Sequence, residues 1–199
     1  MPNINTPQGL SPIQYLQGNP WNGQARRYYI PASDVNAYAI GDPVASLVGA
    51  ADANGIPAVT LATAGSAVRG VIVSAGGVSY GGPSVDPANL NTTVIPATKT
   101  KGYYVMVADD PFIVFEVQEN ASGGALTVAS VGKNINLVAG ANNGFVSGWQ
   151  LASNTVATGS TLNCKILGLS QRADNAVGTY AKWLVKLNNH EFVAGTAGV

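Results

Sequence analysis

The stretch Pro111-Phe112-Ile113-Val114-Phe115-Glu116-Val117-Gln118 constrains this chain more than any other. Aromatic and β-branched residues fill it, and no glycine interrupts before Gly123. A pleat puts Ile113, Phe115 and Val117 on one face and Phe112, Val114, Glu116 and Gln118 on the other. A strand this apolar on both faces belongs in the middle of a sheet, covered above and below.

The rest of the chain supplies strands to lay against it. From residue 102 onward, short apolar runs at 103–107, 126–128, 135–138, 149–151, 162–169 and 180–187 alternate with Gly, Asn and Asp turns. The last run is the clearest half-buried strand, with Ala181, Trp183, Val185 and Leu187 facing in and Lys182 and Lys186 facing out. Residues 33–80 form a small β unit in which Gly41-Asp42-Pro43 and Asp52-Ala53-Asn54-Gly55 separate runs at 44–48, 58–62 and 68–73. Residues 81–101, with Gly81-Gly82-Pro83 and Pro96, read as an irregular excursion used for partner contact. No stretch beyond residue 33 supports a helix of three turns. The expected fold is all-β: an antiparallel β-sandwich or barrel, jelly-roll-like by preference, with its main sheet over 102–199.

Residues 1–32 differ. They lack a hydrophobic period and hold five of the eleven prolines, so they predict an extended N-terminal arm ahead of the 33–199 core. One helical turn is expected within it, with Ser11 as N-cap, Pro12 at the first helical position and Gly18 past the end. Ile13, Tyr15, Leu16, Trp21, Tyr28, Tyr29 and Ile30 are too much apolar surface to leave in water. The arm therefore orders either on a neighbour or folded back on its own domain. Trp21, Arg26, Arg27, Tyr28 and Tyr29 concentrate the residue types that dominate interfaces, and they are the candidate partner-contact residues. Trp149, between Gly148 and Gln150, is a further candidate, either as a sugar-stacking platform or as a core or interface tryptophan.

Charge narrows the function classes. Only 10% of residues are charged, against about 25% in an ordinary soluble domain, and ten basic residues balance ten acidic ones. No basic field favours nucleic acid or a membrane surface. Residues 134–164 carry no charged side chain, yet Asn, Ser, Thr and Gly make that run a neutral polar surface, not a span. An exterior so poor in charge is expected to be covered by partners. Met1-Pro2-Asn3-Ile4-Asn5 lacks the basic start and apolar run of a secretion signal, so a cytoplasmic origin is expected. Catalytic and metal signatures are weak. Cys164 is alone and reads as a small buried hydrophobe, and His190 is the only histidine. Asp109 and Asp110 are neighbours that point to opposite faces, and no Gly-x-Ser-x-Gly elbow, zinc shell or phosphate loop exists. No catalytic residue, metal or cofactor is expected.

Several motifs share an order and spacing: Gly41-Asp42-Pro43-Val44; Asp110-Pro111 with Phe115-Glu116-Val117-Gln118; Val131-Gly132 with Asn134 and Asn136-Leu137; Asp174-Asn175 with Gly178 and Tyr180; and Leu187-Asn188 with His190. In these the chain resembles the capsid decoration, or cement, proteins of tailed bacteriophages over about residues 40–190. The resemblance implies a β-rich structural protein of the virion without enzymatic activity. Such a protein binds the outer face of the major capsid protein lattice, as a dimer or trimer, after assembly in the bacterial cytoplasm. It would stabilise the DNA-filled head without touching the DNA or a membrane. Two other readings compete. A virion adhesin or tail component would bind a host-surface glycan through an exposed Trp149 or Tyr104. A hydrolase would work through His190.

Overall fold

The computed structural model describes residues 3–75 and 94–199. In chain order the strands are β1 (Ser11–Tyr15), β2 (Arg26–Ile30), β3 (Tyr38–Ala39), β4 (Pro43–Ala51), β5 (Pro57–Leu61), β6 (Gly70–Ala75) and β7 (Val94–Ile95). The second half adds β8 (Tyr103–Ala108), β9 (Ile113–Gln118), β10 (Asn134–Ile135), β11 (Leu137–Val138), β12 (Gln150–Leu151), β13 (Cys164–Leu169) and β14 (Lys182–Leu187). Among the described residues, helix is confined to two short 3₁₀ turns, Val128–Ser130 and Ser153–Thr155. The fold is all-β, as expected.

Two units are built from these strands. One is a five-stranded antiparallel sheet in the order β1-β9-β14-β13-β10, and the other is a closed barrel, β2-β5-β4-β6-β8. Within the expected class, closure is by a five-stranded barrel beside an open sheet, not by the paired sheets of a jelly roll. The barrel is antiparallel except at its seam, where β2 runs parallel to β5 through one pair, Tyr29 with Ala58. Two small ladders, β3–β7 and β11–β12, flank these units.

The period of two in each strand divides the apolar residues between two cores. In β6, Ile72 joins Tyr28, Ile30, Val44, Val59 and Val107 inside the barrel. Its neighbour Val71 joins Phe115, Val117, Cys164, Trp183 and Val185 in the core shared with the sheet. Trp183 and Phe115 are completely buried, and each contributes roughly 1.5–3 kcal/mol through removal from water. The organising strand is β9, flanked by β1 and β14 and buried at every position except Glu116, which is half-buried. Phe112 lies outside it, in the turn held by Asp110 Oδ1, which accepts the Phe112 amide at 2.8 Å. Cys164 is buried, and burial pushes its thiol well up from the ordinary value, so it stays protonated.

The N-terminal segment departs from expectation. Residues read as an arm contribute β1 to the sheet and β2 to the barrel, so the chain folds back on itself and the boundary at 32/33 does not separate two parts. The helical turn expected from Ser11 is strand β1, which pairs Ser11 with Glu116 and Tyr15 with Ile113. Pro12 is tolerated because β1 is an edge strand with a bulge between Pro12 and Gln14. Ahead of β1, the Leu10 amide donates to the Gly41 carbonyl at 3.0 Å. Gly41 holds φ +95, and a Cβ there would strike the Gln8 carbonyl, so this crossing of chains requires glycine. The expected small β unit supplies β4, β5 and β6 but closes only with β2 and β8. The expected strand at 126–128 is instead the approach to the first 3₁₀ turn, with Leu126 buried. Of the expected excursion, residues 81–93 lie outside the described residues, and Val94 and Ile95 pair with β3.

Candidate partner-binding site

The residues singled out from sequence do not form one surface. Alternation along β2 sends Tyr28 and Ile30 into the barrel, leaves Arg27 and Tyr29 half-buried, and exposes Arg26. Tyr29 tilts against Tyr104 with ring centroids 5.5 Å apart and occupies the space that a side chain at Gly102 would need. Trp21 is half-buried against the sheet core, its indole N–H donating to the Gln24 carbonyl at 3.3 Å. Trp149 is only 5% exposed and belongs to that same core. It touches a shallow, mostly apolar slot lined also by Asn36, Thr60, Thr63 and Leu137, but it offers no open ring face to a sugar. The Tyr104 hydroxyl is engaged, donating to Asp52 Oδ2 at 2.6 Å.

Arg26 leads to a cluster that the sequence did not reveal. At the end of β8, Asp109 turns inward, and its Oδ2 accepts the Tyr28 hydroxyl at 2.6 Å and lies 3.6 Å from Arg26. Burial, reinforced by the Asp109 carboxylate, holds the Tyr28 hydroxyl far above its usual range, so it remains a donor. Asp110 points the other way and caps the turn, so the two carboxylates do not work as a pair.

Beside them the C-terminal segment is clamped to the barrel. Glu191 Oε1 accepts the Ser46 amide at 2.6 Å. Its Oε2 accepts the Ser46 hydroxyl at 2.6 Å and Arg69 Nε at 2.8 Å. Arg69 in turn donates through Nη2 to Ser46 Oγ at 2.6 Å and sits 4.2 Å from the centre of the Phe192 ring. His190 is buried, and its Nδ1 accepts the Phe192 amide at 3.0 Å. Burial keeps this imidazole below its ordinary value, helped by Arg69 and opposed by Asp109 and Glu191. With Nδ1 occupied, the neutral ring carries its proton on Nε2. The accepting nitrogen of this histidine is thus engaged within its own segment.

The clamp fixes Phe192 at one wall of an open groove of about 390 Å³. Pro111 and Phe112 line it too, together with Arg26, Asp109 and Asp110. Phe112 and Phe192 are 48% and 49% exposed, and Arg26 is 66% exposed in its side chain. Aromatic rings beside an arginine are residue types enriched at protein-binding hot spots. Sequence reasoning found Arg26 and missed the rest, because Phe112 reads as part of the strand and Phe192 sits in a tail without periodicity. Among the described residues no three His, Cys, Asp or Glu side chains converge as a metal site, and no helix is long and apolar enough to cross a membrane.

Several of the motif residues that carried the resemblance satisfy loop backbone, while Phe115, Val117, Leu137 and Leu187 pack in the core. Asn175 Nδ2 donates to the carbonyls of Ser170 and Lys182, both at 2.8 Å, and its Oδ1 accepts the Lys182 amide. Asn134 Nδ2 reaches the Gly159 and Thr196 carbonyls, while Asn188 Oδ1 accepts the Thr196 amide and hydroxyl. Gln118 accepts the Thr6 amide and donates to Asn5. Uncharged amides thereby tie both chain ends to the sheet, a solution suited to a chain with little charge. Comparison with protein families, with curated proteins and with solved structures found no match to this chain.

Proposed function

We propose that this chain is a structural protein of a tailed-phage virion that binds the outer face of the major capsid lattice and cements adjacent capsomers. The observation that carries the reading is the Arg26–Phe112–Phe192 groove in a chain of which only 10% of the residues are charged. Other large apolar side chains stand out on loops and tips: Val48 of β4 at 94% exposure, with Val35 and Phe145 also well exposed. Surface of this kind is stable when partners cover it. The order and spacing of the turn and strand motifs supply the kind of partner.

The mechanism is thermodynamic. A subunit that bridges neighbouring capsomers binds only the assembled shell, so its binding free energy adds to shell stability by linkage. Repetition over a lattice makes modest affinity at each site sufficient. No catalytic step is required. The test is to add purified chain to expanded heads that lack it. Saturable binding at lattice-defined positions, with a rise in head rupture temperature, is the expected result. Failure to bind heads, or location of the chain on the tail by imaging, overturns the proposal.

A further inference from the structure

The outer side of the five-stranded sheet carries lysines that the chain does not neutralise. Lys182 and Lys186 of β14 stand on this side, about 14 Å apart along the strand, with half-buried Leu184 between them. Lys165 of β13 lies directly opposite Lys186 in the antiparallel register. Two like charges facing each other across a ladder weaken a sheet. Among the described residues, none of the three lysines forms an ion pair, and Lys165 donates to the Ala197 carbonyl at 3.0 Å. The carboxylates of this region are spent on another cation. Arg172 donates through Nη1 to Glu116 Oε1 at 3.1 Å, and through Nε and Nη2 to the two oxygens of Asp174 at 3.0 and 3.3 Å. The Ser170 hydroxyl takes the other Glu116 oxygen. Beside Lys182 opens a hollow of about 230 Å³, lined also by Ile4, Thr6, Asp174 and Tyr180.

We propose that this face docks an acidic segment of a partner protein, whose carboxylates meet Lys165, Lys182 and Lys186 while an apolar side chain covers Leu184. The chain has only ten cations, and Arg26, Arg69, Lys99 and Arg172 each hold a carboxylate. Three bare lysines on one face, two of them side by side, are therefore a local excess that the zero net charge conceals. Opposite charge brought by a partner relieves the repulsion between Lys165 and Lys186 and gives Lys182 its missing counter-ion. A protein fits better than a nucleic acid. Three cations in a chain without net charge make few phosphate contacts, and Glu116 and Asp174 stand in the path of a continuous polyanion. Leu184 and Ile4, the latter 75% exposed at the hollow, suit side chains and not phosphates. The proposal goes beyond the capsid reading, because it names the chemistry of a partner without requiring that partner to be a capsid.

The experiment titrates the full chain into fluorescently labelled poly-L-glutamate and follows anisotropy. Saturable binding is expected, weakening as sodium chloride rises from about 50 to about 200 mM. The triple variant Lys165→Gln/Lys182→Gln/Lys186→Gln should lose roughly tenfold in affinity, since each exposed lysine–carboxylate contact is worth roughly 1.5- to fivefold. Lys101→Gln, which removes a lysine outside the sheet, should leave affinity unchanged. Far-UV circular dichroism checks that each variant keeps its strands; if the triple variant does not fold, Lys182→Gln and Lys186→Gln decide singly. No binding, an equal loss in Lys101→Gln and the triple variant, or tighter binding of an oligothymidylate of equal charge each overturns the proposal, the last in favour of nucleic acid. Expanded heads supply a separate arm. A triple variant that coats heads as well as the native chain would overturn this surface and leave the capsid reading standing. Lysine-dependent binding of poly-L-glutamate by a chain that ignores heads would do the reverse.

Discussion

Glu191→Ala tests whether the C-terminal segment is held to the barrel by one carboxylate. Three donors converge on it: the Ser46 amide and hydroxyl, both at 2.6 Å, and Arg69 Nε at 2.8 Å. Ser46 lies two residues past Val44, the last β4 residue paired with β6, so Glu191 takes the Ser46 amide where β6 no longer pairs. Hydrogen bonds to a charged group are each worth about 1.5–3 kcal/mol, and removing one member of a buried pair costs about 3–5 kcal/mol. The Arg69 and Glu191 side chains retain 17% and 18% exposure, which lets water recover part of the loss. We expect destabilisation of about 3 kcal/mol, equivalent to a fall in Tm of roughly 6–12 °C for a chain of this size. Urea unfolding followed by tryptophan fluorescence measures it, with an unchanged m-value as the check on two-state behaviour. A double-mutant cycle with Arg69→Ala should give a coupling of about 1 kcal/mol or more. Amide exchange should accelerate at Glu191, whose amide donates to the Val68 carbonyl, and at Phe192. A loss below about 1 kcal/mol, or zero coupling, would refute the clamp.

Other expectations concern buried ionisable groups and the sheet. Glu119 is fully buried; its Oε2 accepts the Leu126 amide at 2.7 Å, and Oε1 has no hydrogen-bond partner among the described residues. Burial raises its carboxyl above the ordinary glutamate value despite the opposing backbone amides of Leu126, Ala181 and Tyr180. A folded-state value above the unfolded one means that the protein loses stability as pH rises from the unfolded value through the folded one. Glu119→Gln should therefore stabilise at about pH 7 and lose that advantage near pH 4; urea midpoints that differ equally at both pH values would contradict this. The Lys99 side chain is completely buried, donating to the Asn36 carbonyl at 2.6 Å and the Asp34 carbonyl at 2.8 Å and pairing with Asp34 Oδ1 at 3.3 Å. Lys99→Met leaves that carboxylate without its cation and should cost about 3–5 kcal/mol in thermal or urea unfolding; a cost under about 1 kcal/mol would show the pair to be dispensable.

Much of the scaffold was legible because burial imposes a period. Trp183, Val185 and Leu187 alternate with half-buried Lys182, Leu184 and Lys186 as the sequence suggests, and the apolar run at 113–118 is the buried middle of the sheet. The N-terminal segment was not legible, since β1 is a bulged edge strand containing proline and β2 presents arginines and tyrosines that resemble contact residues. Its one clue was alternation, with Tyr28 and Ile30 on the same side. Trp149 shows the limit of residue type as a guide: the same indole suits a stacking platform or a core, and only its neighbours decide. The groove was hidden because its walls come from residues 26, 109–112 and 192, which only the closed barrel brings together.

The last strand made fills an inner position of the five-stranded sheet: β14 lies between β9 and β13. The barrel likewise joins residues 26–30 to residues 103–108 across most of its own length. During translation, therefore, the barrel cannot close until Ala108 has left the ribosome, and β9 has only β1 beside it until Leu187 has emerged. Contacts so distant in sequence make folding slow and leave apolar strands unpaired in the nascent chain. A polypeptide that stops short of Lys182 would lack the strand between β9 and β13, and its sheet would fall into two separate pieces.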